Sequence, residues 1–281
     1  MSDELELCGV ELAGPILNGS GTFDAFVSKT ITLTPRAGNP PRRLWEAAAG
    51  LINSIGLPNK GLAGFLAEDL PRLAQLPVPL IVSVMGFTRD ELATLVAAVG
   101  ERSEVSMIEL NVSCPNVETG LVMGADPPET AAAVERVRTA TDRPLIVKLT
   151  PSATEPAAVA RAAEAAGADA IALVNTLRGM ALDPRSGTPA LGAGSGGLSG
   201  PAIRAVALEQ VHRVAAAVSI PIVGMGGIAS GRDAADFLQA GATCVAVGTE
   251  SFRDPAAGRR IGAELDALSR KAPDSSAARL A

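Results

Sequence analysis

The sequence predicts an α/β protein, a (β/α)8 TIM barrel, on three observations. Eight short apolar, β-branched runs recur along the chain, alanine-rich stretches with helical spacing lie between most of them, and 281 residues is close to the size of one such barrel. The runs are 15–19, 27–33, 80–85, 107–111, 145–149, 170–174, 222–226 and 244–248. They are nearly continuous rather than alternating in polarity, which is the pattern of strands buried on both faces. Helices are expected at 89–99, 128–141, 155–166, 202–218, 232–240 and 255–268, and buried strands inside a ring of helices fit a closed barrel better than an open sheet. Ala166-Gly167-Ala168 and Ala240-Gly241-Ala242 each stand directly before a run, where glycine ends a helix in the left-handed conformation. Residues 1–270 are therefore read as one barrel, and 271–281 as a polar tail.

Composition narrows the partner. With 47% hydrophobic residues the chain can bury a sizeable core, while 24 Lys+Arg against 30 Asp+Glu leave no basic field to attract nucleic acid or anionic membrane. Aromatics are 2% and tyrosine is absent, so no stacking platform for bases exists and aliphatic side chains must build the core. Cys8, Cys114 and Cys244 have no paired spacing, which supports neither a disulfide framework nor a metal or cluster site. The acidic start Ser2-Asp3-Glu4-Leu5-Glu6 is unlike an export signal, and no apolar run approaches the roughly 20 residues of a membrane span. A cytoplasmic protein acting on a small molecule is expected.

Ligand-binding residues of a barrel lie just past the C-terminal ends of its strands. Asn111-Val112-Ser113-Cys114-Pro115-Asn116 occupies such a position, with a thiol able to exchange a proton and carboxamides able to hold a polar planar molecule. A loop with turn-forming asparagines and a space-filling cysteine is the structural alternative. Gly226-Gly227 and Gly248-Thr249 close the last two strands, where barrels commonly cradle a phosphate on backbone N–H groups; tight turns are the alternative. Lys148 sits in an otherwise dry strand and needs an anionic or polar partner, which is either a ligand or a neighbouring carboxylate. A cation so placed suits the pyrimidine end of a flavin. Lys29 repeats that logic on the second strand, and Asn53 and Asn175 add carboxamides. Two long connections, 35–59 and 175–200, are rich in glycine and proline and are read as site-building loops, with mobile linker as the alternative. Cys8 and Cys244 read as small buried hydrophobes, and His212 as an ordinary helix-surface residue.

These motifs carry a family resemblance. Ser20-Gly21-Thr22-Phe23, Lys29-Thr30-Ile31-Thr32-Leu33, Asn53-Ser54-Ile55-Gly56-Leu57, the Asn111–Asn116 segment, Gly196-Gly197-Leu198-Ser199-Gly200, Gly224-Met225-Gly226-Gly227-Ile228 and Gly248-Thr249 together resemble a class 1 dihydroorotate dehydrogenase over nearly the whole chain. Pro35-Arg36-Ala37-Gly38-Asn39-Pro40 makes it most similar to the class 1B catalytic subunit, and cysteine rather than serine as the base separates class 1 from the membrane-associated class 2. The resemblance implies FMN-dependent oxidation of dihydroorotate to orotate in pyrimidine biosynthesis, with Cys114 removing the C5 proton. It implies Lys29, Asn53, Ile55, Gly56, Leu57, Asn111, Asn116, Asn175 and Thr176 around the substrate. It implies Ser20, Lys29, Thr30, Asn111, Lys148, Val174, Gly200, Gly226, Gly227, Gly248 and Thr249 around FMN, and no metal site. FAD and a [2Fe-2S] cluster are implied on a separate partner subunit that passes electrons to NAD and joins a homodimer of this chain. Similar flavin chemistry on uracil or thymine, as in dihydropyrimidine dehydrogenase, is the nearest alternative, and a non-catalytic flavin-binding or scaffold protein is another. The second arises from one departure: about fifteen residues that the family carries between Ser20 and Lys29, including the first barrel helix, are missing. A parallel crossover normally needs at least ~10–12 residues.

Overall fold

All eight apolar runs contain barrel strands in the computed structural model, which describes residues 5–18, 24–113 and 123–271. In chain order, a hairpin of β1 (Leu5–Leu7) and β2 (Val10–Leu12) precedes β3 (Ile16–Asn18) and β4 (Phe26–Val27). A second hairpin, β5 (Leu44–Ala47) and β6 (Gly50–Asn53), leads into α1 (Gly61–Gly64), a π-helical turn at Phe65–Asp69 and α2 (Leu70–Leu73). Then follow β7 (Leu80–Val84), α3 (Arg89–Gly100), β8 (Met107–Asn111), α4 (Pro127–Arg138), β9 (Leu145–Lys148), α5 (Pro156–Ala165) and β10 (Ala170–Leu173). After β11 (Leu177–Gly179) and β12 (Gly196–Ser199) come α6 (Arg204–Ala215), β13 (Ile222–Met225), α7 (Gly231–Gln239), β14 (Cys244–Val247) and α8 (Ala257–Lys271). The barrel runs β3-β14-β13-β10-β9-β8-β7-β4, all parallel, and a parallel bridge between Leu17 and Ala25 joins its two ends.

Local chemistry explains the helix starts. Thr88 accepts a hydrogen bond from Glu91 N, Asp126 from Glu129 N and Ser230 from Asp233 N, each satisfying an N–H that the helix cannot. Gly167 and Gly241 take φ +102 and +108, the positive values that end α5 and α7 before the next strand. The helical segment across 61–73 was not expected, because Gly61, Gly64 and Pro71 break the periodicity. Burial of Phe65 and Leu70 against the barrel holds it instead, at about 1.5–3 kcal/mol for each such side chain. Inside the barrel, Leu7 and Leu12 of the first hairpin join Leu17, Ile81, Met107, Ile146, Ala170, Val223 and Cys244, so the hairpin plugs the end where the strands begin.

The short first crossover leaves β3 and β4 joined by residues 19–25, and the strands nevertheless pair. Side chains replace much of the ladder. Asn18 Oδ1 accepts from Val27 N and its Nδ2 donates to Val27 O at 3.3 Å, while Asp24 N donates to Ile16 O at 2.9 Å and its carboxylate accepts from Ile16 N at 3.0 Å.

The second strand is shorter than the run 27–33 that predicted it, and a bulge is the reason. Ser28 N donates to Ile81 O and Ile31 N to Ser83 O, three residues on one strand against two on the other. Ser28 Oγ takes Ser83 N, the donor that the interrupted ladder leaves over. The extra residue turns Lys29 out to solvent and Thr30 inward.

Asn18→Ala should leave the Val27 N–H and C=O unpaired at the seam and cost about 2–6 kcal/mol, at roughly 1–3 per orphaned group, measurable by denaturant unfolding. Burial pushes the Asp24 carboxyl above its ordinary range, so its ionised form is disfavoured in the fold. Its stabilisation is then full below the usual Asp pKa and falls as pH rises through the raised one. Asp24→Asn keeps an acceptor for Ile16 N, so its melting temperature should gain on the unmutated protein between pH 4 and 7; parallel melting curves would exclude this assignment.

Candidate active site

The cavity opens where the strands end. Its floor is aliphatic, from Leu17, Ile81, Ile146, Ala172, Val223 and Ala246, and its walls carry Asn18, Glu109, Lys148, Asn175 and Thr176. Its enclosed part is about 190 Å3, and it widens toward solvent at the mouth.

The two long glycine-rich connections are not linkers. They pair with each other as an antiparallel sheet, β11-β12-β6-β5, beside the mouth. Close backbone approach explains the glycines: a Cβ on Gly50 would lie 1.9 Å from Ser199 O, and one on Gly196 2.2 Å from Asn53 O. Arg42 and Asp183 tie the loops again at 3.1 Å. Strand β6 thereby carries Asn53, whose Nδ2 donates to Gly197 O at 3.2 Å, and Thr176 packs beneath Gly197.

Two sets of backbone N–H groups have no acceptor among the described residues. Those of Gly226, Gly227, Gly248 and Thr249 donate to no carbonyl or side chain among the described residues, and all four residues line the cavity with Gly200 and Val174. A Cβ on Gly248 would meet nothing within 4 Å, so the cradle has free space at its centre. This arrangement fits a phosphate. The second set is at Ile55, Gly56 and Leu57. Their carbonyls are pinned by Asn39 N at 3.0 Å, Arg36 Nε at 3.4 Å and Asn59 Nδ2 at 2.8 Å, while their N–H groups have no acceptor among the described residues. Gly56 and Leu57 are consecutively left-handed at φ +75 and +53, a conformation that costs a leucine about 1–2 kcal/mol.

The expected polar residues divide between the cavity and other places. Lys148 stands on the wall with Nζ 3.9 Å from the buried Glu109 carboxylate, so it has a charge partner and keeps its hydrogen-bond donors. Asn175 Nδ2 donates to Asn111 Oδ1 at 3.4 Å and to Ser113 Oγ at 2.8 Å, and Asn111 Nδ2 to Thr30 Oγ1 at 3.3 Å. Lys29 is not brought to the cavity: it is exposed and lines a separate hollow between β4 and the 61–73 helices. Ser20, Cys114 and Asn116 lie outside the described residues. Burial pushes the thiols of Cys8 and Cys244 up to about 12, with nearby carboxylates adding to it, so neither is a base at neutral pH. His212 is exposed on α6. Glu109, Ser83 and Asn18 are additions from the structure. A carboxylate inside the apolar run 107–111 is the same signal that singled out Lys148, and would have found the first of them. Among the described residues no cluster of His, Cys, Asp and Glu could hold a metal, and no helix is long and apolar enough to cross a membrane.

A protein-family model described as dihydroorotate dehydrogenase matches residues 6–268. The chain belongs to the dihydroorotate dehydrogenase family. Among curated relatives, proteins of Pelobacter propionicus and Geobacter metallireducens named dihydroorotate dehydrogenase B (NAD(+)), catalytic subunit, are each 44% identical over 93% of this chain and 91% of their own. A relative in Solibacter usitatus whose name carries the A, fumarate type is also 44% identical, over 92% of this chain and 90% of its own. Family membership agrees with the barrel and with the motifs that line its mouth.

Gly248→Val should fill the cradle without disturbing the fold, since the backbone there is not left-handed and the space is open. The expected result is at least about tenfold weaker flavin or phosphate binding, worth about 1.4 kcal/mol, at an unchanged melting temperature of the ligand-free protein. Equal binding by titration would place the phosphate elsewhere.

Proposed function

We propose that the protein oxidises dihydroorotate to orotate, with FMN in the barrel mouth and electrons passed on to NAD through a second subunit. The observation that carries this is a cradle of backbone N–H groups at Gly226, Gly227, Gly248 and Thr249 in the same cavity as Lys148, Asn175 and Thr176, with Asn111 hydrogen-bonded to Asn175 behind them. FMN bound there supplies the acceptor for the hydride that leaves C6 of the substrate. Gly226, Gly227, Gly248, Thr249, Gly200 and Ser20 hold its phosphate end, and Lys148, Val174 and Thr30 its ring.

The chain's own residues then bind, orient and move a proton. Asn53, Asn111, Asn116, Asn175 and Thr176 hold the ring's carbonyl and N–H groups, and the N–H groups of Ile55, Gly56 and Leu57 hold the carboxylate. Cys114 removes the C5 proton, the aliphatic floor excludes water, and the C5–C6 bond becomes a double bond. Lys29 joins this set only by turning in from the outer wall. Donors assigned to a carboxylate also favour dihydroorotate over a neutral dihydropyrimidine, which has none to offer them.

The partner subunit carries FAD and a [2Fe-2S] cluster, this chain forms a homodimer with it, and the complex is cytoplasmic. The relatives named as B-type catalytic subunits support that reading, and the fumarate-type relative makes the electron acceptor a separate question. Anaerobic addition of dihydroorotate should bleach the visible flavin absorbance of the purified protein. Cys114→Ser should slow that bleaching about 10²–10⁴-fold at neutral pH, with recovery at high pH and orotate affinity little changed. A colourless protein that takes up no FMN refutes the proposal, and an unchanged rate in the variant removes the cysteine from the mechanism.

A further inference from the structure

Resting on the reading just given, we infer that Glu109 is the positioning residue of this site: it balances the charge of Lys148 and sets which atoms the carboxamides present to the substrate. Glu109 lies within β8, 4% exposed, and its Oε1 accepts a hydrogen bond from Ser83 Oγ at 2.8 Å and sits 3.9 Å from Lys148 Nζ. A carboxylate this deeply placed is costly unless charge and hydrogen bonds compensate it, and these two groups are its compensation.

One acceptor-only group fixes the order of everything joined to it. An ionised carboxylate can only accept, so Ser83 spends its single proton on Glu109. Ser83 Oγ, 2.9 Å from Thr30 Oγ1, must then receive the proton of Thr30. With that proton spent, Thr30 Oγ1 can only accept from Asn111 Nδ2 at 3.3 Å. Asn111 is thereby oriented with Oδ1 toward Asn175 Nδ2 at 3.4 Å, and Asn175 with its own Oδ1 on Thr176 N at 2.8 Å. The carboxylate thus sets the direction of the chain as far as Asn111, whose Oδ1 also takes Ser113 N at 3.4 Å, while Thr176 N holds Asn175 in the matching sense. The 3.9 Å gap to Lys148 is too long for a hydrogen bond, so the ammonium is electrostatically balanced while no described residue takes its donors from a ligand.

The two halves separate experimentally. Glu109→Gln keeps the shape and an acceptor for Ser83 but removes the charge, so the unbalanced Lys148 should favour reduced flavin about tenfold, a rise in midpoint potential of about 30 mV for a two-electron couple. Ser83→Ala keeps the Glu109 charge beside Lys148 but cuts the chain, so orotate, titrated by its perturbation of the flavin spectrum, should bind about tenfold more weakly at a nearly unchanged potential. An unmoved potential in Glu109→Gln, or unweakened orotate binding in Ser83→Ala, overturns the inference. Wild-type protein that binds no flavin overturns instead the function on which it rests.

Discussion

Closure of eight short parallel strands into a ring is the constraint on which the rest of the molecule depends, and the ring closes where the chain is shortest. Strands β3 and β4 are three and two residues long, with residues 19–25 between them. Backbone pairing at that seam is too limited to satisfy the strand edges, and an unpaired buried peptide group costs about as much as a hydrogen bond gained elsewhere. Asn18 and Asp24 meet the demand with side-chain amide and carboxylate groups that mimic a ladder. Asn18 also lines the cavity, so the residue that closes the barrel is part of the wall that the ligand meets.

Within that ring the core is almost wholly aliphatic, which makes each polar group an exception with a traceable purpose. Ser83, Glu109 and Asn111 are buried on adjoining strands, and Lys148 faces them from the next. Hydrophobic residues of similar volume at these positions would pack at less desolvation cost. Their retention as one connected network, in which hydroxyls and amides all donate toward a single carboxylate, suits a pre-oriented polar surface better than it suits stability.

The sheet beside the mouth shows the same economy of backbone over side chain. Residues of 42–53 and 177–199 pair across nearly 150 positions of sequence, and the glycines that resemble linker composition are where one backbone presses on another. Strain appears at Leu57, in a segment whose three carbonyls are held by Asn39, Arg36 and Asn59 while its N–H groups have no acceptor among the described residues. A leucine in the left-handed region is a local cost borne where binding benefits from it.

By itself the sequence determined the barrel, the eight strand positions and the six long helices to within a few residues, because burial on both faces, helical spacing and capping residues such as Thr88, Asp126 and Ser230 act locally. It also located Lys148, Asn175, Gly226-Gly227 and Gly248-Thr249 at strand ends, since the scaffold dictates that chemistry gathers there. Tertiary structure decided what local patterns do not encode. The Leu44–Asn53 hairpin turns on two alanines rather than on a turn signature, and helices α1 and α2 exist because Phe65 and Leu70 find the barrel wall. One extra residue at the β4 bulge sends Lys29 outward and Thr30 inward, and only that inversion completes the chain from Asn111 to Glu109. A strand's two faces differ by a single residue of register, and register at a seam is set by the partner strand.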